Sequence, residues 1–115
     1  ISAIKKKNIK FINEILNQNI CGDFSHADDI CEGIYKVIVT KKKIKRLILS
    51  FNKCISVNAI IKHIIKKYKI DLKLNFRSKI KSKCLKGNNS LAKKIIKWKP
   101  KKNTFLAADE IYKNI

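Results

Sequence analysis

The chain has 115 residues and a net charge of +20, with 28 Lys and Arg against 8 acids. Its length allows one domain, residues 1–115. A hydrophobic content of 45% excludes a disordered polyelectrolyte, and lysines interrupt every apolar run well short of the ~18 residues of a membrane span.

Taken in order, Ile1–Lys7 reads as the end of a helix, Lys10–Ile12 as a short strand, and Asn13–Gly22 as a polar loop. The next segment is richer. Ser25 followed by Asp28 resembles a capping box, and Asp28, Asp29 and Glu32 fall where a helix dipole favours acids. Ile30, Cys31, Ile34, Tyr35 and Ile38 then mark the expected buried face. Arg46–Phe51 reads as a strand. Ser56 caps a helix running to Tyr68, with Val57, Ile60, Ile61, Ile64, Ile65 and Tyr68 inward. Asp71–Phe76 alternates polar and apolar residues, the pattern of a half-buried strand. Lys79–Lys86 is ambiguous. Asn89 or Ser90 opens a helix over Leu91–Lys97, Trp98-Lys99-Pro100 ends it, and Thr104 caps a last helix with Phe105, Ala108, Ile111, Tyr112 and Ile115 inward.

Several classes of chemistry are excluded. Gly22, Gly33 and Gly87 are the only glycines, too far apart for the Gly-rich turn of a dinucleotide fold or for a phosphate loop. Cys21, Cys31, Cys54 and Cys84 contain no CxxC pair, so zinc or dithiol chemistry is disfavoured. Small buried side chains in a reducing, cytoplasmic setting are the expectation instead. Lys5-Lys6-Lys7 is not followed by an apolar segment, which argues against a signal peptide. The chain contains no Met, which suggests that it is cut from a longer one.

The charge invites a second reading, a small basic nucleic-acid-binding module. Against it, only Arg46 and Arg77 supply the guanidinium that usually reads base edges. The lysines are spread over the whole chain, and no RNA-recognition, zinc-finger or basic-zipper signature is present. The joint excess of Ile, Lys and Asn is what AT-rich codons would produce, so no specific nucleic-acid partner is expected.

Two segments carry a resemblance. Asp23-Phe24-Ser25-His26-Ala27-Asp28-Asp29 resembles the helix entry of the extended short-chain dehydrogenase/reductases, the nucleotide-sugar epimerases and dehydratases. Asn89–Pro100, ending Lys97-Trp98-Lys99-Pro100, resembles the helix and Gly-Trp-Lys-Pro element that closes the same family. Order and spacing also fit, and within the family the GDP-mannose 4,6-dehydratases look most similar. The resemblance covers the whole chain but only the last third or so of a family member. It implies an α/β fold class: a small mixed α+β C-terminal substrate-binding lobe whose Rossmann domain is missing.

By the same resemblance, NAD(P) and the Tyr-x-x-x-Lys pair belong to the rest of the parent enzyme, an NAD(P)-dependent lyase or epimerase expected to be homo-oligomeric. Tyr35 is followed four residues on by Val39 and Tyr68 by Leu72, and no residue stands at that offset from Tyr112. No catalytic, cofactor-binding or metal residue is therefore assigned to this chain, and the partner implied is a nucleotide-sugar such as GDP-mannose.

Arg77, just after the strand at 71–76, matches the place of a family arginine that contacts the diphosphate. A planar guanidinium suits that contact, and a solvated surface arginine explains Arg77 equally well. Gly22 stands where the family has Arg, and Lys97 where it has Gly. His26 is expected to serve the helix entry rather than general-base chemistry. Asp28 and Asp29 are expected to serve the dipole and cap rather than a metal, and Trp98 to anchor packing rather than stack on a base.

Overall fold

In a computed structural model describing residues 1–76 and 83–115, the elements follow from local capping chemistry and apolar spacing. Helix α1 (Ser2–Lys5) leads into α2 (Ile9–Gln18), which Asn8 opens by accepting the Phe11 amide at 3.1 Å. Asn19 closes α2 in the left-handed region, a conformation asparagine tolerates. The expected strand at Lys10–Ile12 and much of the expected loop at 13–22 are therefore one helix. Ile12 and Leu16, four apart, bury its inner face.

Strand β1 (Cys21–Gly22) pairs antiparallel with β2 (Ile55–Ser56), Cys21 opposite Ser56 and Gly22 opposite Ile55. This is the whole sheet among the described residues. Helix α3 (Ala27–Val39) is capped by His26 rather than Ser25: the His26 ring accepts the Asp28 amide at 3.2 Å. Helix α4 (Val57–Lys67) begins at the expected cap, with Ser56 Oγ accepting from the Ala59 amide. Helix α5 (Ser90–Ile96) ends in left-handed Lys97, φ 52°. Helix α6 (Thr104–Asn114) is capped by Asn103, one residue before the expected Thr104. The Thr104 hydroxyl instead donates to the Phe24 carbonyl at 2.7 Å.

Two apolar clusters result. The first joins Ile4, Ile12, Leu16, Ile61, Ile64 and Ala108 from α1, α2, α4 and α6. The second centres on Trp98, with Ala92 and Ile96 of α5 packed by Ile30, Val37, Ile44, Leu47 and Leu49.

Neither expected strand over 46–51 nor that over 71–76 forms a ladder in the described sheet. Leu72, Leu74 and Phe76 are nevertheless half-buried while the residues between them are exposed. The alternation was read correctly, but that segment reaches the core beside helices. The architecture is a small mixed α/β one, mostly helical.

The cysteines differ from expectation. Cys54 and Cys84 form a disulfide closing a 30-residue separation, and Cys31 is exposed. Spacing alone carries no sign of such a pair, because only the tertiary fold brings the two Cα atoms to 6.1 Å. No helix among the described residues is long and apolar enough to cross a membrane.

Candidate functional site

The segment that resembles the family's helix entry is a hub for backbone amides. The Asp23 carboxylate accepts from Phe51 N and Asn52 N at 3.0 Å each, and from Gly87 N at 2.8 Å. Ser25 Oγ accepts from the same Phe51 amide at 2.9 Å. Three amides on one carboxylate fix two distant loops against each other. Gly87 is required at this junction, because a Cβ there would collide with the Ser50 side chain.

The second motif locks onto the same helix. The Trp98 ring is 1% exposed, and its Nε1 donates to the Asp29 carbonyl at 2.7 Å. Asp29, itself buried, accepts from Lys101 N and Lys102 N through Oδ2, at 2.9 and 2.8 Å. Gly33 lets the indole approach: a Cβ there would lie 3.1 Å from Trp98 Nε1 and closer still to Leu49. Asp29 thus holds the chain that follows Pro100, and Trp98 is the packing anchor expected of it. At the end of α5 the ammonium groups of Lys36 and Lys42 reach the carbonyls of Lys97 and Ile95, where a helix C-terminus favours cations.

His26 joins the two ends of the site. Its Nδ1 accepts the Asp28 amide, so the ring proton sits on Nε2 and is donated to Glu110 at 2.8 Å. Lys102 bonds Asp28 and lies 3.7 Å from Glu110. The hydrogen bond from Lys102 holds the Asp28 carboxyl below its ordinary range and, reciprocally, raises the Lys102 ammonium. One ligand atom each from His26, Asp28 and Glu110 lies within 4.8 Å of the others. The donor set nevertheless suits a metal poorly. A metal on Nε2 would move the ring proton to Nδ1 and break the helix cap, and the Lys102 ammonium already fills the place of a cation between the carboxylates. The cluster is a clamp between the start of α3 and α6.

A second clamp joins α4 to α6. Asp109 accepts from His63 at 3.0 Å and from Lys67. Burial alone would push its carboxyl up, but the bonds from Lys67 and His63 outweigh burial and hold it below the usual range. Lys67 is raised by the same bond.

Arg77, the one substrate-binding residue expected from the sequence, lies outside the described residues. It follows directly on Phe76, whose ring carries the Lys62 ammonium at 4.8 Å. What the sequence reading missed is the role of Asp23, the His26–Glu110 pair and the two close-approach glycines. The hydrogen-bonded partners stand 28 to 84 residues apart in the chain, and no local spacing announces them.

No protein-family model and no curated protein matches the sequence. Among solved structures, the fold is similar to part of the UDP-glucuronic acid 4-epimerase of Bacillus cereus, whose structure is in complex with NAD. The TM-score is 0.57 at 18% identity, over 84% of this chain and 33% of that chain. The chain therefore spans about a third of the length of the epimerase it resembles. The epimerase/dehydratase resemblance read in the sequence and the observed architecture agree at the level of the fold.

Proposed function

We propose that this chain is the nucleotide-sugar-binding lobe of an NAD(P)-dependent epimerase or dehydratase, with the GDP-mannose 4,6-dehydratase type as its finer assignment. The observation that supports this most is the interlock of the two motifs. The acid opening α3 holds both the tryptophan and the backbone after the proline, within a fold similar to part of an epimerase. In this reading the lobe contributes grip rather than chemistry. Arg77 takes the donor's diphosphate, and Asp23 fixes the loops at 51–52 and 87. The NAD(P) site and the proton-transfer tyrosine belong to the rest of the enzyme, which acts as a homo-oligomer.

Turnover tests this division of labour. The 115-residue protein incubated with GDP-mannose and NADP yields no dehydrated sugar. Detectable dehydration would mean that the chain holds chemistry of its own and would overturn the proposal.

A further inference from the structure

The Cys54–Cys84 bond crosses the fold beside the Asp23 junction, and its two ends are held differently. Cys54 lies between two anchors: Asp23 binds the Asn52 amide, and Ile55 pairs with Gly22 in the sheet. Asn52 turns the chain here with a left-handed φ of 59°. Cys84 stands just before Gly87, where its side of the junction is held. Gly87 N donates to Asp23 at 2.8 Å, the Gly87 carbonyl accepts from Ser50 Oγ at 2.9 Å, and Asn89 Nδ2 donates to the Ser50 carbonyl at 2.8 Å. In the run 83–86, Lys83, Leu85 and Lys86 are exposed, Leu85 to 93%, and Cys84 is the half-buried residue. The bond to Cys54 therefore ties this run to the fixed turn at 52–54.

The bond also faces solvent. Cys54 is exposed, so a thiolate can reach its Sγ in the folded chain, and exposed disulfides are the labile ones. Lys53, Lys83 and Lys86 flank the two cysteines in sequence, and neighbouring cations favour thiolates.

We propose that the Cys54–Cys84 disulfide is a redox latch on the run 83–86. The thiolate of a dithiol reductant attacks Cys54 Sγ, the bond to Cys84 breaks, and Cys84 leaves as a thiolate. The second thiol of the reductant then attacks the mixed disulfide and releases Cys54, and the reductant departs as its own disulfide. Two electrons and both thiol protons pass from the reductant to the cysteines. Once reduced, the run 83–86 opens about Gly87, while the bonds of Asp23, Ser50 and Asn89 stay made and Cys54 keeps its place. The latch rests on anchoring and exposure, and stands independently of the nucleotide-sugar reading.

Trypsin reads the latch, because Lys83 and Lys86 lie within the run. The 115-residue protein is treated with dithiothreitol without denaturant, blocked with iodoacetamide and digested briefly, and mass spectrometry reports cut sites and labelled cysteines. Reduction raises cleavage after Lys83 and Lys86 by about tenfold or more and leaves amide exchange in α4 unchanged. Reoxidation with oxidised glutathione before blocking restores slow cleavage. Cys84→Ser is cut fast with or without dithiothreitol, and if that chain fails to fold, the unsubstituted chain in its two redox states carries the test alone. Cleavage indifferent to dithiothreitol, reduction no faster than the global opening read by α4 exchange, reduction that unfolds α4 as well, or alkylation of Cys54 and Cys84 in the untreated chain each overturns the proposal.

Discussion

The two halves of the molecule are built on different principles. Around Leu16 and Ile64, four helices bury aliphatic side chains at helical spacing, and the polar Asp109 clamp sits beside that core. Around Trp98, few apolar residues are fully buried, and the geometry is set by polar groups gripping the backbone: Asp23 on three amides, Asp29 on two, Trp98 on a carbonyl. The first half depends on transfer free energy, which tolerates conservative substitution. The second depends on directional bonds whose loss strands a buried partner. The motifs that suggest function all lie in the second half.

The largest expected effect separates the halves by kind of residue. Trp98→Ala costs about 3–5 kcal/mol, and Ile64→Ala about 2–5 kcal/mol. Chemical denaturation measures both. The comparison breaks if Ile64→Leu is as damaging as Trp98→Phe, since only the indole has a hydrogen bond to lose.

Next comes Asp29→Ala, which strands the amides of Lys101 and Lys102 and costs about 1–3 kcal/mol. Amide exchange at 101–102 accelerates while that of α4 does not. Uniform acceleration would mean that the two halves unfold as one unit.

A smaller effect has the opposite sign. Lys97 occupies the left-handed region at the end of α5, where the resembling family carries glycine. Lys97→Gly therefore stabilises the chain by about 1 kcal/mol, read as a higher Tm. An unchanged or lower Tm would show that the Lys97 side chain contributes more than its backbone conformation costs.

The smallest effect is electrostatic. Asp109 is held below its ordinary range, so its contribution is present above an unfolded value near 3.9 and is lost as pH falls through the lower folded value. Lys67 is raised, so its contribution is present below about 10.4 and is lost as pH rises through the higher folded value. The clamp contributes a flat plateau between these limits, and Asp109→Asn flattens both limbs of the Tm–pH curve. Limbs that survive the substitution would place the titration elsewhere.

What could be read from the sequence follows the same division. Helix α4 was legible, cap and face together, because its isoleucines repeat at helical spacing with mostly polar residues opposite. Helix α3 was legible as a helix but not in its orientation. Apolar residues flank it on two sides, and its buried side is marked by Asp29 and Gly33, which no hydrophobic pattern selects. Helix α2 was missed because Asn13, Glu14, Asn17, Gln18 and Asn19 make its second half read as a polar loop. The two motifs of the site were legible through resemblance. Their interlock was not, because a carboxylate that holds backbone amides needs only the partner's position and leaves no mark on the partner's side chain. The disulfide between Cys54 and Cys84 was hidden because only the tertiary fold brings two cysteines 30 residues apart together.

The central claim, a lobe that grips a nucleotide sugar, is tested most directly by calorimetric titration of the 115-residue protein and its Arg77→Ala variant. GDP-mannose and UDP-glucuronic acid are the ligands, with inorganic pyrophosphate and a short oligonucleotide as references, at about 150 mM salt, where loose polyanion adhesion is weakened. The account predicts that a nucleotide sugar binds more tightly than pyrophosphate and that Arg77→Ala weakens it about tenfold or more. Binding no tighter than pyrophosphate and indifferent to Arg77, or a sequence-selective oligonucleotide that outcompetes both sugars, would contradict it.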